Sequence, residues 1–101
     1  MQKLLVICAN EAILATILRL ISNSQEWQAE GALNKEEALL LLQHQDFSGV
    51  IIGSGLNGAE EKSLIQSIRK KNKQTIIIPH YGGGSGLLYN EIRDAFRQVT
   101  S

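Results

Sequence analysis

The sequence predicts a three-layer α/β/α domain built on a four-stranded parallel sheet of order 2-1-3-4. Three observations carry that prediction. Leu4-Leu5-Val6-Ile7-Cys8-Ala9 and Gly49-Val50-Ile51-Ile52 are apolar runs without alternation, the pattern of strands covered on both faces. Between such runs lie segments whose hydrophobic residues recur at helical spacing. The connections are short, and strands alternating with helices at short connections fold as right-handed βαβ units.

The first strand is the run that begins at Leu4. Asn10 follows it with a side-chain oxygen able to cap a helix. Ile13, Leu14, Ile17, Leu18 and Ile21 supply that helix's apolar face until Ser22-Asn23-Ser24 stops it. Residues 27–32 form a short, weakly patterned strand, expected at a sheet edge. Asn34 stands three residues before Glu37, a capping-box spacing, and opens a helix with Ala38, Leu39, Leu41 and Leu42 on its apolar face. Phe47 leads into the third strand, which breaks at Gly53-Ser54-Gly55-Leu56-Asn57-Gly58. The third helix turns Leu64, Ile65 and Ile68 inward and ends in Arg69-Lys70-Lys71-Asn72-Lys73, cations that suit a helix C-terminus. Thr75-Ile76-Ile77-Ile78 is the last strand, halted by Pro79. After the loop His80-Tyr81-Gly82-Gly83-Gly84-Ser85-Gly86, a fourth helix places Leu88, Ile92, Ala95, Phe96 and Val99 on one stripe.

At 101 residues the chain has room for one domain, 1–101, with one core. Ten basic and ten acidic side chains cancel. That balance speaks against nucleic acid held by bulk attraction, and it removes one barrier to self-association. Cys8 is the one cysteine, so neither an internal disulfide nor a thiolate metal cluster can form. The apolar opening run is too short to span a bilayer and no signal-peptide cleavage pattern follows it. A cytoplasmic chain without a membrane partner is expected.

The helix from Asn34 with Glu37-Ala38-Leu39, followed by Asp46-Phe47-Ser48-Gly49-Val50-Ile51-Ile52, resembles the response-regulator receiver domain. Lys3-Leu4-Leu5-Val6-Ile7 resembles its opening strand, and Ile68 to Asn72 with Ile76-Ile77-Ile78 and Tyr81-Gly82 its next helix and strand. The similarity spans residues 3–83 in order. It implies a flavodoxin-like fold in which residues 87–96 match the family's last helix, so that one helix and the fifth strand are missing. The departures fall on the family's chemistry. Its Mg²⁺-holding acidic pair corresponds to Cys8 and Ala9, its phosphoacceptor aspartate to Gly53, and its Ser/Thr to Pro79 with His80 beside it; no Lys-Pro pair follows. Phosphoryl transfer needs a carboxylate, oxygen ligands for the metal and a cation on the phosphoryl oxygens. Without them the resemblance implies no enzyme, no metal and no cofactor. What it implies is a degenerate pseudo-receiver working in bacterial signalling through protein–protein contacts, as a homodimer formed through the β-branched edge at residues 75–78 or the helix faces beside it.

Two glycine-rich loops follow adjacent strands and lead into helices, which is the placement of an anion or nucleotide site. The candidate ligand-binding residues are Asn10, Gly53, Ser54, Gly55, His80, Tyr81, Gly82, Gly83 and Gly84. Against a site stand the ordinary use of glycine in tight turns, the absence of a P-loop lysine, and a GxGxxG-like match at residues 53–58 that follows the third strand rather than the first. Cys8 also resembles the cysteine of small phosphocysteine subunits in sugar phosphotransferase systems. The loop after it, however, carries Glu11 and no glycine to close around a phosphate, and a small buried strand residue is the simpler reading. A small-molecule or anion sensor and a degenerate phosphocysteine carrier are therefore the alternatives to a docking module.

Overall fold

The computed structural model describes residues 2–53, 55–79 and 88–100. Strand and helix alternate along it: β1 (Gln2–Ile7), α1 (Glu11–Ser22), β2 (Trp27–Ala32), α2 (Lys35–His44), β3 (Gly49–Ile52), α3 (Gly58–Lys71), β4 (Ile76–Pro79) and α4 (Leu88–Thr100). The strands form one parallel sheet in the order β2-β1-β3-β4, as the sequence predicts.

Side-chain alternation along the central strands divides the core into two layers. Leu4, Val6, Ile51 and Ile78 meet Leu14, Ile17 and Ile21 of α1 and Ile92 of α4. Leu5, Ile7, Val50 and Ile52 meet Ala38 and Leu42 of α2 and Leu64 and Ile68 of α3. Residues 4 to 7 of β1 have no exposed surface at all. With about 1.5–3 kcal/mol of transfer free energy per fully buried aliphatic side chain, β1 and β3 anchor the sheet. The stripe expected on the last helix is realised at Ile92, with Ala95 and Phe96 packed beside it. The Leu88 and Val99 side chains lie outside the described residues.

The helices start where asparagines can cap them. The side chains of Asn10, Asn34 and Asn57 accept hydrogen bonds from the backbone N–H groups of Ile13, Glu37 and Glu60 at 3.0, 2.8 and 2.8 Å. At α2 the Glu37 carboxylate returns to the N–H of Leu33 at 3.0 Å, one residue earlier than a capping box requires. The last helix is tied to the start of β2: Arg93 pairs with Glu26 at 2.9 Å, and its guanidinium lies 5.9 Å from the centre of the Trp27 ring.

One boundary differs from expectation in an informative way. The last strand is Ile76–Pro79, not 75–78, so Pro79 belongs to it and stands opposite Ile52. Ile76 donates to the Ser48 carbonyl, which turns the backbone of Ile76 and Ile78 toward β3 and that of Ile77 and Pro79 away from the sheet. The proline's missing N–H therefore falls on the open side, where a strand tolerates it. Thr75 is drawn into the preceding turn, its N–H donating to the Asn72 carbonyl at 3.3 Å.

Candidate functional site

β1 and β3 lie side by side with Ile7 opposite Ile52, so the loops that leave them meet at the carboxyl end of the sheet. The Cys8 N–H donates to the Ala32 carbonyl at 3.0 Å and the Gly53 N–H to the Ile7 carbonyl at 2.7 Å, each extending its ladder by one bond. Cys8 is fully buried, with its thiol 3.6 Å from the Asn10 carbonyl. A Cβ on Gly53 would stand 3.1 Å from the Cys8 Cβ and 3.2 Å from its sulfur. Gly55 adopts φ 102°, a left-handed conformation, and a Cβ there would lie only 2.5 Å from the Ala9 Cβ. The two loops thus pack directly against each other.

Of the candidate ligand-binding residues, the fold brings Asn10, Gly53 and Gly55 to this rim. The Asn10 side-chain oxygen is already engaged in capping α1. Ser54, His80, Tyr81, Gly82, Gly83 and Gly84 lie outside the described residues. Among the described residues, no three His, Cys, Asp or Glu side chains converge as metal ligands, and no helix is long and apolar enough to cross a membrane. Glu11 sits exposed in the first turn of α1, where it favours the helix dipole.

A second region is built at the β4 edge. The Arg69 guanidinium donates through Nη1 to the carbonyl oxygens of Lys73 at 3.0 Å and of Thr75 at 2.7 Å. The sequence reads the Arg69 to Lys73 cluster only as a solvated helix end. Arg69 instead closes the turn into β4, and Lys71 donates to the Gln45 carbonyl at 3.1 Å. A groove of about 640 Å³ runs along the edge, lined by Arg69 and Lys73 from the end of α3 and the turn after it, by Thr75, Ile76 and Ile77, and by Ala95 of α4. Ile76 and Ile77 are half-buried there, whereas Ile78 is buried.

No protein-family model matches this sequence, and no curated protein is similar to it by sequence. Solved structures are similar in fold. The signal receiver domain of an HD-domain-containing protein from Pseudomonas fluorescens Pf-5 superposes with a TM-score of 0.83 at 19% identity, covering 98% of this chain and 97% of that one. The response regulator TrrA from Thermotoga maritima, in complex with Mg²⁺-BeF, superposes with a TM-score of 0.73 at 20% identity over 98% and 99% of the two chains. CheY4 of Vibrio cholerae gives 0.71 at 18% identity, with 94% of this chain aligned to 80% of that one. A structure of TrrA in complex with the histidine kinase ThkA is also similar, at a TM-score of 0.73 and 20% identity over 100% of both chains. The likeness is one of fold.

Proposed function

We propose that this receiver-fold domain is a non-catalytic docking module of bacterial signalling, working in the cytoplasm through protein–protein contacts, among them contacts with a second copy of itself. The observation that supports the reading most directly is the closed packing of Gly53 against Cys8. The resemblance puts a phosphoacceptor aspartate at residue 53 and its metal-holding acids at residues 8 and 9. Here a side chain at 53 would crowd Cys8, which would have to give by a few tenths of an ångström, and Cys8 and Ala9 offer no oxygen ligands. Two-component signalling enters by analogy with the fold, since TrrA is a response regulator crystallised with a histidine kinase.

The test is phosphotransfer in the presence of competition. A histidine kinase labelled on its phosphohistidine is mixed with an intact receiver, with and without this chain. The chain is expected to take up no label and to slow transfer to the intact receiver if it docks on the same kinase surface. Label appearing on the chain sinks the non-catalytic reading. A parallel NMR amide titration with Mg²⁺ plus acetyl phosphate, inorganic phosphate and nucleotides is expected to leave residues 8–11, 53 and 55–58 unshifted. Saturable shifts confined to those loops would move the function to a small-ligand sensor.

A further inference from the structure

We propose that the β4 edge is self-complementary, and that two copies join there as antiparallel strands centred on Ile77 to make one eight-stranded sheet. This deepens the docking reading above and rests on it for self-association alone.

The argument is an accounting of backbone groups. Residues of β4 that face outward alternate with those bonded to β3, so the open side presents Thr75, Ile77 and Pro79. The Thr75 carbonyl is already taken by Arg69 at 2.7 Å. Pro79 has no N–H to offer. The remaining complete pair is the N–H and carbonyl of Ile77. An ordinary extended segment laid along this edge would find one carbonyl occupied and one donor absent, so strand addition by a general peptide gains little.

One partner meets neither defect. In an antiparallel pairing about a two-fold axis at Ile77, the two Ile77 residues exchange both N–H···O=C bonds, and Thr75 stands opposite Pro79 of the second copy. The bond this arrangement cannot form runs from the proline nitrogen to the Thr75 carbonyl. That carbonyl is the one Arg69 already satisfies. The missing donor and the occupied acceptor coincide; the Thr75 N–H is likewise committed, to the Asn72 carbonyl, so the pairing rests on the two bonds exchanged by Ile77. The half-buried Ile76 and Ile77 side chains, which line the edge groove, would be covered by their counterparts.

Ile77→Pro tests the claim when compared with Ile77→Ala, which keeps the N–H while also losing the Ile77 side chain packed against the α2/α3 layer. Ile77→Pro removes the donor on which the pairing depends and leaves the β3–β4 ladder whole, because the Ile77 N–H does not face β3. Sedimentation equilibrium across about a hundredfold range of concentration is expected to show the wild-type chain passing from monomer to dimer. Ile77→Pro should dimerise about thirtyfold more weakly than Ile77→Ala, since two donors are lost per dimer. Amide hydrogen exchange in the wild type supplies a readout independent of folding the variant. Protection of the Ile77 N–H should rise with concentration, while that of the Ile78 N–H, bonded within the sheet, stays constant. A dimer whose Ile77 amide remains unprotected overturns this interface and spares self-association. A chain that stays monomeric throughout overturns both.

Discussion

The two edges of the sheet are defended in opposite ways. On β2 the backbone of Ala29 and Gly31 turns outward with its donors and acceptors intact, as follows from the inward bonds made by Glu26 and Ala32. Its protection comes from side chains: Gln28 is exposed, and Glu30, which accepts from the Gln45 side chain, would have to lose water before another strand could lie beside it. On β4 the side chains are Ile76, Ile77 and Ile78. Its protection is in the backbone, through the Arg69 bond to Thr75 and the absent N–H of Pro79. A defence by charge turns away every strand. A defence by missing hydrogen-bond partners turns away every strand except one that does not need them.

The contrast can be broken most forcefully beneath β4. Ile78→Ala removes a buried side chain from the layer shared with α1 and α4, and a loss of about 2–5 kcal/mol is expected in urea denaturation of a dilute sample. Ile77→Ala at the same dilution should cost less than half as much, because Ile77 is only half-buried in the single chain. Equal costs would mean that the edge is not open in the monomer. Arg69→Met comes next. It releases the Thr75 and Lys73 carbonyls and should lower stability by about 1 kcal/mol, small because the guanidinium is exposed. It should also weaken dimerisation, since the Thr75 carbonyl then faces a proline with nothing to donate; unchanged dimerisation would detach Arg69 from the edge. A small effect on folding is expected for Glu30→Val, no more than about 1 kcal/mol, because the Gln45 side chain loses an acceptor. Its consequence should appear in light scattering, as a new association that Ile77→Pro does not suppress. If Glu30→Val stays as dispersed as the wild type, charge is not what protects β2.

The rim at the carboxyl end of the sheet was partly legible from the residues. The places of Gly53 and Cys8 follow from strand order, and the structure sets them in contact. The sequence offers Asn10 both as a cap and as a ligand contact, and the structure uses its side-chain oxygen as the cap. The cap at Asn57 lies within what the sequence reads as a glycine loop, although Asn57 and Glu60 repeat the spacing of Asn34 and Glu37. That signal could have been read. The role of Arg69 could not, because a guanidinium six residues from its acceptor carbonyl depends on how the turn between them closes.

What the sequence determined by itself is the layering. Unbroken apolar runs require cover on two faces, helical periodicity provides it, and short connections impose parallel order and handedness. These are local patterns repeated along the chain, and they survive without knowledge of any particular contact. The tertiary structure alone decided the character of the β4 edge. Whether the missing N–H of Pro79 weakens the sheet or faces away from it depends on which side of the strand is bonded, and that is set by the pairing register with β3, which the strand's own residues do not specify. Composition marks a proline, an arginine and three isoleucines; only register turns them into an edge with one open hydrogen-bonding residue.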